Sequence, residues 1–132
     1  MPTTASQEIF NEAIHHLNNG QAPRAIEICQ SALVRNSNDV NMVALLGACY
    51  LQTNDISAAE QQLNKAIDLA PTFAKPHEDL GLLLVNDDRY EEAIPFLQKA
   101  VHLDSQLDVA FFNLGKALAA VGRGKEADQA YE

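Results

Sequence analysis

Four histidines, two cysteines, a Gly-Arg-Gly-Lys run and a cluster of carboxylates are the residues of this chain whose types could do chemistry. His15 and His16 are adjacent, so on a helix their side chains diverge by about 100° and do not readily clasp one ion. His77 falls in a core slot and His102 late in another helix, and no carboxylate-rich zinc pattern accompanies them. All four read as structural or surface histidines, and no metal is implied. Cys29 and Cys49 form neither a CxxC nor a disulfide framework. They lie on neighbouring helical segments that could approach one another, and they read as buried free thiols acting as small hydrophobes. Gly122-Arg123-Gly124-Lys125 has neither the spacing of a phosphate loop nor a preceding strand, so it reads as a turn. Asp87, Asp88, Glu91 and Glu92 read as a solvated turn that places negative charge at a helix N-terminus, where the helix dipole favours it. No Gly-x-Ser-x-Gly elbow and no catalytic dyad can be argued from spacing. No catalytic residue and no cofactor is assigned.

Composition narrows the partners. The 132 residues suffice for one ordinary domain, and 47% of them are hydrophobic. A formal net charge of −9 opposes nucleic acid or an anionic membrane as main partner. The longest apolar stretches fall well short of the roughly 20 residues a bilayer span needs. Met1 to Ser6 has no basic flank or apolar core, so no secretory signal is visible. A reduced, cytoplasmic setting is expected.

The elements that position these residues follow from a 34-residue period. Gly47, Gly81 and Gly115 recur at that interval, each preceded by leucine (Leu46, Leu80, Leu114). Ala25, Ala59, Ala93 and Ala127 keep the same interval, as do Ala32, Ala66 and Ala100. Such self-similarity is the signature of a repeat architecture. Within each unit the apolar residues return at three- and four-residue steps, the period of a helix. Val43, Leu46, Gly47 and Tyr50 share a face of one helix; Ala59, Leu63, Ala66 and Ile67 share a face of the next. His77, Leu80, Gly81 and Leu84, then Ala93, Leu97, Ala100 and Val101, repeat the arrangement. Small residues sit where two helices must approach closely. Each unit is therefore a helix-turn-helix hairpin.

Boundary signals divide the chain consistently. Asn19-Gly20, Thr53-Asn54 and Asp87-Asp88 mark the turns inside hairpins. Pro71 closes the second unit, and Pro76 falls in a first helical turn, where a missing N–H costs little. Asp88 followed by Glu91 predicts a capping box opening a helix, and Thr4 with Gln7 predicts another. Pro95 lies inside a helix, removes a bond to the carbonyl of Glu91, and predicts a slight bend. Helices are expected near 5–18, 22–36, 39–52, 55–69, 73–86, 89–103, 107–121 and 123–132.

These residues resemble the tetratricopeptide repeat family, whose 34-residue unit favours a large residue, Leu-Gly, Tyr, Ala, an aromatic or Leu, Ala and Pro at set offsets. The second unit, 40–73, matches with Val43, Leu46-Gly47, Tyr50, Ala59, Leu63, Ala66 and Pro71. The third, 74–107, departs at His77 and at Ser105. The fourth, 108–132, carries Phe111, Leu114-Gly115, Leu118, Ala127 and Tyr131 and is incomplete. The first, 6–39, is degenerate, with Glu12 and His16 in slots usually leucine and tyrosine, as suits a terminal repeat facing water. The incomplete fourth unit reads as an N-terminal fragment of a longer protein, forming one domain over 1–132.

The resemblance implies an all-α fold, a right-handed superhelical solenoid of antiparallel helix hairpins, that recognises protein partners in a concave groove. It places Phe10, Ile14, Asn41, Leu45, Ala48, Lys75, Asp79, Leu82, Phe112, Asn113 and Lys116 among the groove residues. Chaperone-binding members carry a Lys/Asn/Arg clamp for a terminal carboxylate; the equivalent slots here hold Phe10, Ile14, Leu45 and Asp79, which opposes that ligand. The asparagine ladder of tetratricopeptide-bearing glycosyltransferases persists only at Asn11 and Asn113. The expected function is a protein–protein interaction module binding a peptide or amphipathic helix. The alternatives are the N-terminal region of a larger sulfotransferase or glycosyltransferase, or a self-assembly module. Apolar Ala127, Ala130 and Tyr131 on the last helix predict weak homo-oligomerisation through the fourth repeat.

Overall fold

The computed structural model describes residues 5–122, which form seven α-helices and no strand. They are α1 (Ala5–Asn18), α2 (Ala22–Arg35), α3 (Val40–Gln52), α4 (Ile56–Leu69), α5 (Ala74–Asn86), α6 (Tyr90–Leu103) and α7 (Asp108–Ala120). Each boundary falls within one residue of the position the repeat pattern predicts. The expected helix over 123–132, its apolar edge and the Thr4 cap lie outside the described residues. The chain divides into two compact units between Ala70 and Pro71.

In the first unit α1 packs on α2, α2 on α3 and α3 on α4, with a lighter contact of α1 on α3. Contacts stay local because a hairpin can bury its apolar face only on its sequence neighbours. α3 is the central element: Met42 through Gly47 and Cys49 are all buried. α1, by contrast, fully buries only Ala13, and Glu12 is exposed. In the second unit α5 packs on α6, α6 on α7, and α5 on α7.

The repeated glycines have a steric cause. A Cβ added to Gly47 would stand 2.7 Å from Leu63 Cδ2, and one on Gly81 would collide with Leu97. Leu63 and Leu97 are wholly buried, so each glycine lets a leucine of the second helix seat directly on the backbone of the first.

The turns repeat with the same period. Gly20, Asn54, Asp88 and Gly122 all adopt left-handed backbone, with φ of 75°, 63°, 59° and 80°. The N–H of Asn54 donates to the Leu51 carbonyl and that of Asp55 to the Tyr50 carbonyl; Asp88 and Arg89 do the same to Val85 and Leu84. The left-handed residue thereby satisfies carbonyls that the helix end leaves unpaired.

That geometry corrects one expectation. Asp88 does not cap α6. It occupies the left-handed turn position, the N-cap is Arg89, and no side chain caps the helix. An N-cap needs extended backbone, which Asp88 has given up to close α5; its carboxylate accepts from the Tyr90 hydroxyl at 2.9 Å instead. The acidic cluster is otherwise as expected, exposed, with Arg89 paired to Glu92 at 2.7 Å and to Asp87 at 3.6 Å. Pro95 sits on an exposed position of a continuous α6, where water can reach the Glu91 carbonyl it leaves unbonded.

Candidate partner-binding face

The predicted groove residues fall on the first helix of each hairpin, and the two units treat them differently. In the first unit, Phe10 and Asn41 line one open depression of about 410 Å³ with Ser6, Gln7, Asn11 and Asp39. Asp39 has a second task, accepting from the Met42 N–H at 3.3 Å as the N-cap of α3. Leu45 is buried at 8% exposure and Ile14 is half-buried against the same core cluster, so both commit surface to packing. Ala48 is half-buried.

In the second unit the adjacent α5 and α7 carry the rest. Val109, Phe112, Asn113 and Lys116 follow at i, i+3, i+4 and i+7 on α7, one helical face. Phe112 is 60% exposed and Val109 50%, whereas Asn113 is buried and Lys116 exposed. Asn113 Nδ2 donates to the Val109 carbonyl at 2.9 Å, which fixes the amide. Leu82 lies half-buried on α5.

α5 also holds a charge network. Lys75 Nζ donates to Glu78 Oε1 at 2.6 Å and pairs with Asp79 Oδ1 at 3.2 Å. Both carboxylates are buried, while the Lys75 side chain remains 56% exposed. Burial raises the Asp79 carboxyl above its ordinary value, more than the attraction of Lys75 lowers it. Burial lowers the Lys75 ammonium, but its bonds and charges to Glu78 and Asp79 outweigh that and raise it. Glu78 Oε2 accepts from the Ala110 N–H at 3.2 Å. Ala110 is in the first turn of α7, whose N-cap Leu107 offers no side-chain acceptor. A carboxylate from α5 thus caps α7 and fixes its register, with charge of the sign that end of the helix favours. The sequence carries no local signal of this role, because the cap comes from 32 residues away.

The cysteines and histidines fall where the sequence placed them, while 123–125 of the Gly-Arg-Gly-Lys run lie outside the described residues. Cys29 and Cys49 are free and buried. His77 is buried, its Nε2–H donating to the Pro71 carbonyl at 2.9 Å, with its ring 6.3 Å from that of Phe96. His16 Nδ1 meets Gln21 Oε1 at 2.6 Å, and His15 and His102 are exposed. Among the described residues no group of three His, Cys, Asp or Glu side chains could hold a metal ion. No helix among them is long and apolar enough to cross a membrane.

Two tetratricopeptide repeat family models match the chain, over residues 16–77 and 74–107. A protein O-mannosyl-transferase of Caenorhabditis elegans is 32% identical over 96 residues, 73% of this chain and 14% of that protein. Anaphase-promoting complex subunit 3 of Schizosaccharomyces pombe is 26% identical over 121 residues, 92% of this chain and 18% of that protein. The chain thus spans less than a fifth of either. Among solved structures, the fold is similar to a crystal structure of MamA, with a TM-score of 0.86 at 20% identity, covering 96% of this chain and 74% of that one. It is also similar to the O-GlcNAc transferase of Thermobaculum terrenum, with a TM-score of 0.81 at 24% identity, covering 89% of this chain and 23% of that one.

Proposed function

We propose that this chain, which belongs to the tetratricopeptide repeat family, is a protein–protein interaction module whose principal contact is the α5/α7 face. The observation that carries this reading is the exposed pair Val109 and Phe112. These are two of the large hydrophobic residues left outside the core among the described residues, and they stand one turn apart on one face. Lys116 flanks them, and Asn113, buried beneath them, is held by its bond to the Val109 carbonyl. An apolar anchor flanked by a few fixed polar groups suits an amphipathic helix or extended peptide. The Glu78 bond to α7 holds the face in place before binding, which lowers the ordering cost. Phe10 and Asn41 are the corresponding contacts proposed in the first unit. The role is recognition rather than catalysis, in a cytoplasmic setting that the two free thiols support.

The test is selection of peptides from a random displayed library on the immobilised chain, followed by titration of the selected peptides against variants. Phe112→Ala is expected to weaken binding by about 1–3 kcal/mol with helicity unchanged. Equal affinity of wild type and a Phe112→Ala/Lys116→Ala double variant would move the site elsewhere. A second reading makes these repeats the docking region of a larger glycosyltransferase or sulfotransferase. The O-mannosyl-transferase and O-GlcNAc transferase similarities support it. It predicts that deleting the repeats from the intact polypeptide lowers transfer to protein acceptors more than to short ones.

A further inference from the structure

Asn19 and Gly20 form the turn between α1 and α2, and both are exposed. No other asparagine of the chain is followed by glycine. Glycine has no Cβ to shield its own nitrogen, and the space where one would stand is open, with nothing within 4 Å. At the equivalent place of the later turns stand Thr53, Asp87 and Val121, none of which carries a carboxamide.

Two contacts set the chemistry of the pair. Asn19 Nδ2 stands 3.1 Å from Nε2 of His15, one turn back on α1 and itself exposed. The amide nitrogen therefore lies against an imidazole in open solvent. The Gly20 N–H donates to the Leu17 carbonyl at 3.2 Å. That bond occupies the Gly20 nitrogen while the turn is closed, and it sits at a helix end, where local opening costs least.

We propose that Asn19–Gly20 is a self-modification site, at which the first hairpin converts its asparagine to isoaspartate and aspartate using its own backbone and water. When the bond to Leu17 opens, the Gly20 nitrogen attacks Cγ of Asn19 and gives up its proton to water. The bond from Cγ to Nδ2 then breaks, the His15 imidazolium hands a proton to the departing nitrogen, and ammonia leaves. His15 regains its proton from water, and a cyclic succinimide remains. Water adds to one of the two succinimide carbonyls. Opening at the side-chain carbonyl leaves aspartate at position 19; opening at the main-chain carbonyl leaves isoaspartate, with the chain running through Cγ. One water enters, one ammonia leaves, and no electrons are transferred.

The two products differ in consequence. Aspartate keeps the length of the main chain and stands one turn from His15, a favourable pairing when the imidazole is protonated. Isoaspartate inserts a methylene into the main chain just before the Gln21 N–H, which donates to the His16 carbonyl at 2.8 Å. The Gln21 side chain also meets His16, at 2.6 Å. Both contacts tie the end of α1 to the start of α2, so isoaspartate loosens the hairpin whose first helix carries Phe10.

The full chain is incubated for weeks in near-neutral buffer at body temperature. Peptide mapping with electron-transfer fragmentation then separates isoaspartate from aspartate. Conversion is expected severalfold faster at Asn19 than at Asn18, Asn54 or Asn86. The isoaspartate-bearing chain should melt lower and exchange its Gln21 amide faster, whereas Asn19→Asp should melt as the fresh chain does. Gly20→Asp, which copies the third turn at this place, should slow conversion severalfold, and His15→Gln should also slow it. Asn19 converting no faster than Asn54 in wild type would overturn the proposal, as would equal rates in wild type and Gly20→Asp. An unchanged rate in His15→Gln would overturn the part given to His15. The wild-type arm decides the site even where a variant fails to fold.

Discussion

Gly47 and Asp79 show how single residues carry the account. A methyl group on Gly47 would have to enter space filled by the Leu63 side chain, 2.7 Å from its Cδ2. Gly47→Ala is therefore expected to destabilise by about 1–3 kcal/mol through overpacking. That should exceed the gain of about 1 kcal/mol that alanine brings to a helix interior. Denaturant titration checks it, and an unchanged or raised midpoint would show that Leu63 can move aside. Asp79 ties stability to pH. Its carboxyl is raised above the ordinary value of 3.8 mainly by burial, so the folded chain holds that proton more tightly than the unfolded chain. The contribution is fully present below the ordinary value and is lost as pH rises through the raised one. Asp79→Asn, which imitates the protonated form, should match wild type in acid and equal or exceed it near neutrality. Wild type gaining on the variant as pH rises would mean that Lys75 outweighs burial.

α7 is the element whose position is least local in origin. Its N-cap Leu107 gives no side-chain bond, and Glu78 of α5 supplies the acceptor. Glu78→Ala should cost about 1.5–3 kcal/mol, as for a charge-assisted bond whose buried donor is left unpaired. Asp39→Ala, losing only a local cap, should cost about 1 kcal/mol. Hydrogen exchange would locate the difference: faster at the first turn of α7 in one variant, at the first turn of α3 in the other. Equal exchange at Ala110 with and without the Glu78 carboxylate would remove that role. Helix positions were legible in the sequence because periodicity and the 34-residue spacing report burial directly. The Asp87-Asp88 pair marks the turn, but not which role its acid takes, because an aspartate in left-handed backbone and one at an N-cap look alike in sequence. The Glu78 bond to α7 was not legible, since its partners are a side chain and a backbone N–H brought together only by packing.

For the molecule, the division of labour follows from which apolar residues each unit buries. The first unit draws Leu45 wholly, and Ile14 partly, into its core, so that groove positions proposed from family geometry become packing residues there. The second leaves Phe112 and Val109 outside, at 60% and 50% exposure. Family offsets name positions that point toward a groove; only packing decides which of them keep accessible surface. The central claim is that recognition occurs on α5 and α7. Its most direct test is chemical-shift mapping of the isotope-labelled chain titrated with a peptide taken from library selection. The largest changes are expected at Leu82, Val109, Phe112, Asn113 and Lys116, and to diminish in Phe112→Ala. Changes confined to α2, α4 or α6, with Phe112→Ala binding as tightly as wild type, would contradict the account.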